Sequence, residues 1–321
     1  MEILFNKDNN GQQEITDVLG FLSDDFEYHR LEVDLELNTP ELINSIGENA
    51  YLKILEHYKS DEEIDAPLID IIKKCQLFVG IMGYSDFAGN NDLMHTTAGR
   101  KMNNTSDEKT PWDWQIASDN ASLKRKAYKT LDQLISALDK IALKEWIESD
   151  AYKNSKSLFV YKCSIFNKRY PINNSEQLYF KLVPFMEDVE LLEIASRLGD
   201  ELFKRLKDSI APKQDFEPLN TLEKGLLVLI EKAIVYTTLA IAYKVFPVEM
   251  FAEKINYKES SKVQSTVRAE VAQYLSAEAK KHLLGIELVV EKLSKIDLEP
   301  SEKKPINLTF GLDSANKYVD L

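Results

Sequence analysis

The chain has 321 residues, 44% hydrophobic and 29% charged, with 40 Lys+Arg against 53 Asp+Glu and a net charge of −13. This is globular composition, and with 11 Gly and 10 Pro it excludes wholesale disorder and collagen-like or Gly/Pro-rich low-complexity classes. The length suggests about two domains, and the acidic balance argues against broad contact with a phosphate backbone.

The start, Met1 to Asp8, has no basic segment and no useful apolar run, so no signal peptide is expected. Cys75 and Cys163 cannot build a disulfide scaffold, and a reducing, cytoplasmic setting is the default. Glu2 to Asn6 reads as a short strand. Asn6 to Gly11, with Asp17 beyond, partly imitates a calcium loop. However, its first ligand position is Asn, its last lacks Glu, and no helix precedes it, so a turn is expected. Leu31, Val33, Leu35 and Leu37 alternate with Glu and Asp and predict an edge strand with an acidic outer face.

Leu42 to Tyr58 carries apolar residues at three-and-four spacing, with Thr39 as N-cap and Pro40 in the first turn. Pro67 opens a second helix bearing Leu68, Ile71, Ile72, Leu77 and Val79. The glycines between Gly80 and Gly89 fit neither G-x-G-x-x-G nor a P-loop; they are expected to end that helix. Asp86 to Trp112 is a polar stretch in which Met94 to Arg100 predicts a small hairpin or an extended arm. Trp112 and Trp114 stand at the entry to the next helix, Ala121 to Leu138. Packing inside the fold is the simpler reading of this pair, and an interface anchor the alternative. Lys124, Arg125, Lys126 and Lys129 make a basic face that suits an acidic neighbouring copy better than nucleic acid. Leu158 to Tyr161 is a third strand candidate. Thr221 to Val245 is a strongly apolar helix whose Glu231, Lys232 and Lys244 argue against a bilayer span. Thr266 to Leu293 is the last helix.

Internal similarity organises these elements. Glu41-Leu42 aligns with Glu193-Ile194, Ile46-Gly47-Glu48 with Leu198-Gly199-Asp200, Tyr51 with Phe203, and Pro67-Leu68 with Pro218-Leu219. Leu131, Leu134, Ile135 and Leu138 align with Ile286, Val289, Val290 and Leu293. The expected fold is mainly α, with a few short strands and two related helical-bundle domains at residues 1–150 and 151–295. An extended tail follows at 296–321, whose Ile306, Leu308 and Phe310 would line one side of an added strand.

No catalytic, metal or cofactor constellation emerges. His29, His57, His95 and His282 are scattered, Cys75 reads as a core residue, and the carboxylate pairs lie in turn-like segments. The chain is therefore read as non-enzymatic. The candidate interface residues are Met94, His95, Arg100, Trp112, Trp114, Ile306, Leu308 and Phe310. The rival readings are a small-ligand or peptide-binding module with a site between the two domains, and an enzyme clustering His29, His95 or Cys163 with carboxylates.

Several segments resemble an uncharacterised family encoded in phages and prophages of gut anaerobes. They are the Pro67 helix, Met94 to Arg100 with its Thr97-Ala98-Gly99, Thr105 to Thr110, Ala127 to Asp132, and Trp146 to Ile172. The resemblance implies a head–tail connector or neck adaptor that assembles with itself, as a ring, and with neck proteins such as a portal. It implies a cytoplasmic location during assembly, a place in the virion afterwards, and no membrane. It carries over no catalytic residue and no cofactor.

Overall fold

The computed structural model describes residues 2–23, 26–60, 65–91, 93–97, 99–102, 112–210, 212, 216–245 and 261–298, and is mainly helical. The first half runs through α1 (Gly11–Leu19), α2 (Glu32–Ile46), α3 (Glu48–Lys59) and α4 (Ala66–Asn91). A hairpin of β1 (Leu93–Thr96) and β2 (Gly99–Met102) then precedes α5 (Asp113–Ile141). Short helices α6 (Lys144–Ile147) and α7 (Asp150–Ser157) lead into α8 (Cys163–Arg169) and α9 (Glu176–Val189). A π-helical stretch, Glu190–Ala195, joins α9 to α10 (Ser196–Leu198), and α11 (Asp200–Asp208), α12 (Thr221–Val245) and α13 (Ser261–Leu298) complete the described chain.

The buried apolar side chains fall into two clusters. One draws on residues from Leu4 to Trp146, the other on residues from Leu158 to Ile286, and Phe180 packs against both. Within each cluster a long apolar helix lies against the final helix, α4 on α5 and α12 on α13. The order of elements recurs as well. A buried Leu-Phe segment (Leu4-Phe5, then Leu158-Phe159) precedes a short helix. Each segment accepts a tyrosine hydroxyl, from helices at different places in the order: Tyr51 of α3 donates to the Glu2 carbonyl at 2.8 Å, and Tyr179 of α9 to the Val160 carbonyl at 2.7 Å. Further on, a helix breaks at a glycine in the left-handed region, Gly47 at φ 88° and Gly199 at φ 71°, before a short helix and the long apolar one. A side-chain-bearing residue is strained there.

None of the three strand candidates is a strand. The alternation across Leu31–Leu37 belongs to the start of α2, where Leu31, Leu35 and Leu42 are fully buried while Val33 and Leu37 are 63% and 70% exposed. The acidic residues between them, Glu32 and Asp34, sit in the first helical turn, where the helix dipole favours negative charge. Helix α2 then runs through Thr39 and Pro40 rather than starting there, and the Thr39 hydroxyl donates back to the Leu35 carbonyl at 2.8 Å. Residues 2–6 and 158–161 are irregular because side chains satisfy their backbone. Besides the two tyrosines, the Gln76 amide donates to the Leu4 carbonyl at 2.8 Å, and the Phe159 N–H donates to the Glu190 carboxylate.

The glycines of α4 do not end the helix, which continues to Asn91. They let neighbours approach. A Cβ on Gly83 would lie 3.0 Å from a Leu35 methyl and 3.2 Å from the backbone of Asp34 and Leu35. One on Gly80 would lie 3.3 Å from Leu19. The calcium-like segment is a turn in which Gly11 N–H donates to Asn6 Oδ1 at 3.1 Å and Asn6 N–H to the Glu14 carboxylate at 2.8 Å. Helix α12 is long and apolar enough to cross a membrane by length and composition, yet half of its most apolar stretch is buried inside the protein. It packs on α13, α9 and α8, and its Glu231 pairs with Arg169 of α8 at 2.5 Å.

Candidate functional site

Helix α5 begins at Asp113, immediately after Trp112, whose N–H donates to Gln115 Oε1 at 3.0 Å. Its first buried residue is Leu123, so the opening turns project beyond the core. Trp112 and Trp114 are 72% and 67% exposed, against the simpler expectation that they pack inside the fold. Exposed indoles carry a large apolar area at small entropic cost and dominate binding energies when covered. One face of α5 continues from Trp114 through Ser118, Ala121, Arg125 and Lys129, all exposed. Beside it the Lys126 ammonium sits 5.9 Å above the Phe21 ring, which stacks edge-on to Tyr84 at 5.0 Å.

Met94 and Arg100 lie on opposite strands of the hairpin that follows α4. Met94 pairs with Lys101 and His95 with Arg100. Because α4 and α5 pack along each other, the fold brings the hairpin and the tryptophan pair to the same end of the first half. Ile306, Leu308 and Phe310 lie outside the described residues.

A second constellation joins the two halves. Asp132 of α5 reaches the start of α9, where its Oδ1 accepts from the Gln177 N–H at 2.9 Å and from the Ser175 hydroxyl at 3.2 Å. Ser175 is itself the N-cap of α9 and accepts from Leu178 N–H. Asp132 thus caps, from the other half, a helix end that would otherwise present unpaired amides. Burial pushes its carboxyl up to about 6, opposed by those hydrogen bonds. Burial, with the negative charges of Asp139 and Asp132, pushes Glu176 up to about 7, and the Lys156 ammonium opposes this. Lys156 is in turn lowered by burial, against the pull of Asp139. Asp139 accepts from the Trp146 indole at 2.6 Å, and Trp146 stacks edge-on with Phe180 of α9 at 5.3 Å.

The remaining candidates do not converge. His29 is exposed, and His282 rests against Tyr236 at 5.5 Å. Cys75 and Cys163 are buried, and burial pushes both thiols well above their usual range, the reverse of an activated nucleophile. Among the described residues no group of three or more His, Cys, Asp or Glu side chains could hold a metal ion. An open groove of about 290 Å³ between α3 and α6 is lined by Asn49, Leu52, Lys53, Glu56, Glu145 and Glu148. Both its walls belong to the first half, so it is not the cleft between domains that a junctional ligand site requires.

The sequence reading missed Asp132, Glu176 and Lys156. The only local signal was Asn174-Ser175-Glu176-Gln177, which has the form of a helix start. That a carboxylate more than forty residues upstream completes the cap has no local signature. Compared with known proteins, the chain matches no family model, and neither a curated protein nor a solved structure is similar to it.

Proposed function

We propose that this chain is a non-enzymatic assembly subunit in which one helical blueprint occurs twice, and that it serves as a head–tail connector of a phage-derived particle. The observation that carries the assembly reading is the exposure of Trp112 and Trp114 at the projecting start of α5. Two indoles held in water on a rigid helix are costly to leave uncovered in a working protein, and docking onto another chain removes that cost. The connector assignment rests on the resemblance of the Pro67 helix, Met94–Arg100 and Trp146–Ile172 to the phage family. The recurrent order of elements, with its paired left-handed glycines Gly47 and Gly199, supports duplication. In this reading the protein acts in the cytoplasm during assembly and in the virion afterwards, with itself and a portal-type protein as partners.

Sedimentation across a concentration series, alone and with the portal-type protein of its genomic neighbourhood, tests the reading. Species larger than one chain are expected. A single-chain mass at every concentration, with no complex, overturns it.

A further inference from the structure

The tryptophan-led face of α5 has a chemical complement on the same molecule. Helix α2 exposes Val33, Leu37 and Pro40, spaced four and three residues apart and so on one face. Residues 32–41 contain Glu32, Asp34, Glu36 and Glu41 and no basic residue, while residues 124–129 contain Lys124, Arg125, Lys126 and Lys129 and no acidic one. Four cations in six positions on a chain of net charge −13 are a local inversion of its field. One surface is thus two exposed indoles, with Asp113 and Asp119 in the same opening turns, followed by cations; the other is an exposed aliphatic strip edged by carboxylates. Pro40 adds an acceptor. It has no N–H, so the helical bond to the Glu36 carbonyl cannot form at this exposed position. The α5 face offers indole and ammonium donors.

The two surfaces do not cover each other within the chain, since Val33, Leu37, Trp112 and Trp114 are all exposed. Where the two helices come near each other, Lys181 stands between them, paired with Glu41 at 4.0 Å and 5.5 Å from the Tyr128 ring, so Glu41 is engaged within the chain.

We infer that the α5 face led by Trp112 and Trp114 docks onto the Val33–Leu37 strip of α2 in a second copy of this chain. Unlike surfaces meeting in this way make a heterologous contact. It propagates from copy to copy and closes into a ring when the rotation allows. The inference rests on the assembly reading above and names its partner and its two surfaces.

Charge reversal on the full-length chain tests it. One variant carries Arg125→Glu and Lys129→Glu, the other Glu32→Lys and Glu36→Lys. All four positions lie outside the buried core, so both variants should fold. Each alone should weaken self-association by about tenfold or more, because like charges then face each other. An equimolar mixture should restore association, since both pairings become complementary again, and restoration requires both variants to be folded. Wild-type association should also weaken as salt rises from low to physiological ionic strength. If the wild type associates and neither reversal changes it, this docking is overturned while assembly stands. If the wild type is a single chain at every concentration, both fall. Binding of a single-stranded oligonucleotide by the wild type, lost in the Arg125→Glu/Lys129→Glu variant without effect on mass, assigns the basic face to nucleic acid and likewise overturns the docking.

Discussion

Asp132 and Gln177 are 2.9 Å apart across the junction between the halves, the carboxylate of α5 accepting the backbone N–H at the start of α9. With Ser175 it forms a composite cap, half local and half imported. The stability of the second half is thereby tied to a residue of the first. Asp132→Ala should cost about 1–2 kcal/mol, the usual worth of a cap, and Asp132→Asn less, because its amide oxygen still accepts. Urea unfolding of the two variants checks the order; equal losses would mean that the charge, not the acceptor, matters.

The same junction sets a pH dependence. Glu176 and Asp132 stand at about 7 and about 6 in the folded chain, above the values of 4.5 and 3.8 for free side chains. Folding therefore takes up protons. Their contribution is most favourable below pH 4 and is lost as pH rises through about 6 to 7. Removing the titrating carboxyl with Glu176→Gln should raise the melting temperature at pH 8 and leave it near that of the parent at pH 4. A variant that tracks the parent across this range contradicts the assignment.

Exposed and buried indoles should behave as opposites. Replacing Trp112 and Trp114 by Ala should change folding stability by no more than about 0.5 kcal/mol, because neither is packed. Trp146→Ala removes a fully buried ring that touches Tyr152 and Phe180 and should cost about 3–5 kcal/mol. Thermal or chemical unfolding distinguishes the two; a large loss at Trp112 or Trp114 would show that they pack.

Glycines within α4 divide in the same manner. Gly83→Ala would press a methyl against Leu35 and the α2 backbone and should destabilise by about 1–3 kcal/mol. Gly89 has nothing within 4 Å of an added Cβ, and Gly89→Ala should stabilise by about 0.5–1 kcal/mol through helix propensity. Opposite signs in denaturant midpoints are the expected result.

Much of the helical architecture was legible because it is written in near neighbours. The three-and-four spacing of Leu131, Leu134, Ile135 and Leu138 announces a helix whatever surrounds it, whereas the single helix expected over Leu42–Tyr58 is broken at Gly47, whose positive φ ends α2 before α3 begins. The same local view misread Leu31–Leu37. Leucines at 31 and 35 serve a strand of period two and a helix of period four equally well, and burial against α4 chose the helix. It also misread Gly80 and Gly83, whose meaning lies in the approach of Leu19 and Leu35 rather than in their own backbone.

By itself, then, the order of residues determined that this protein is mainly helical and where many of its helices run. Only the tertiary structure decided that Trp112 and Trp114 stand in water while Trp146 does not, and that Asp132 caps a helix of the other half. Exposure and long-range hydrogen bonding depend on which distant segments arrive beside a residue, and helical periodicity is blind to them.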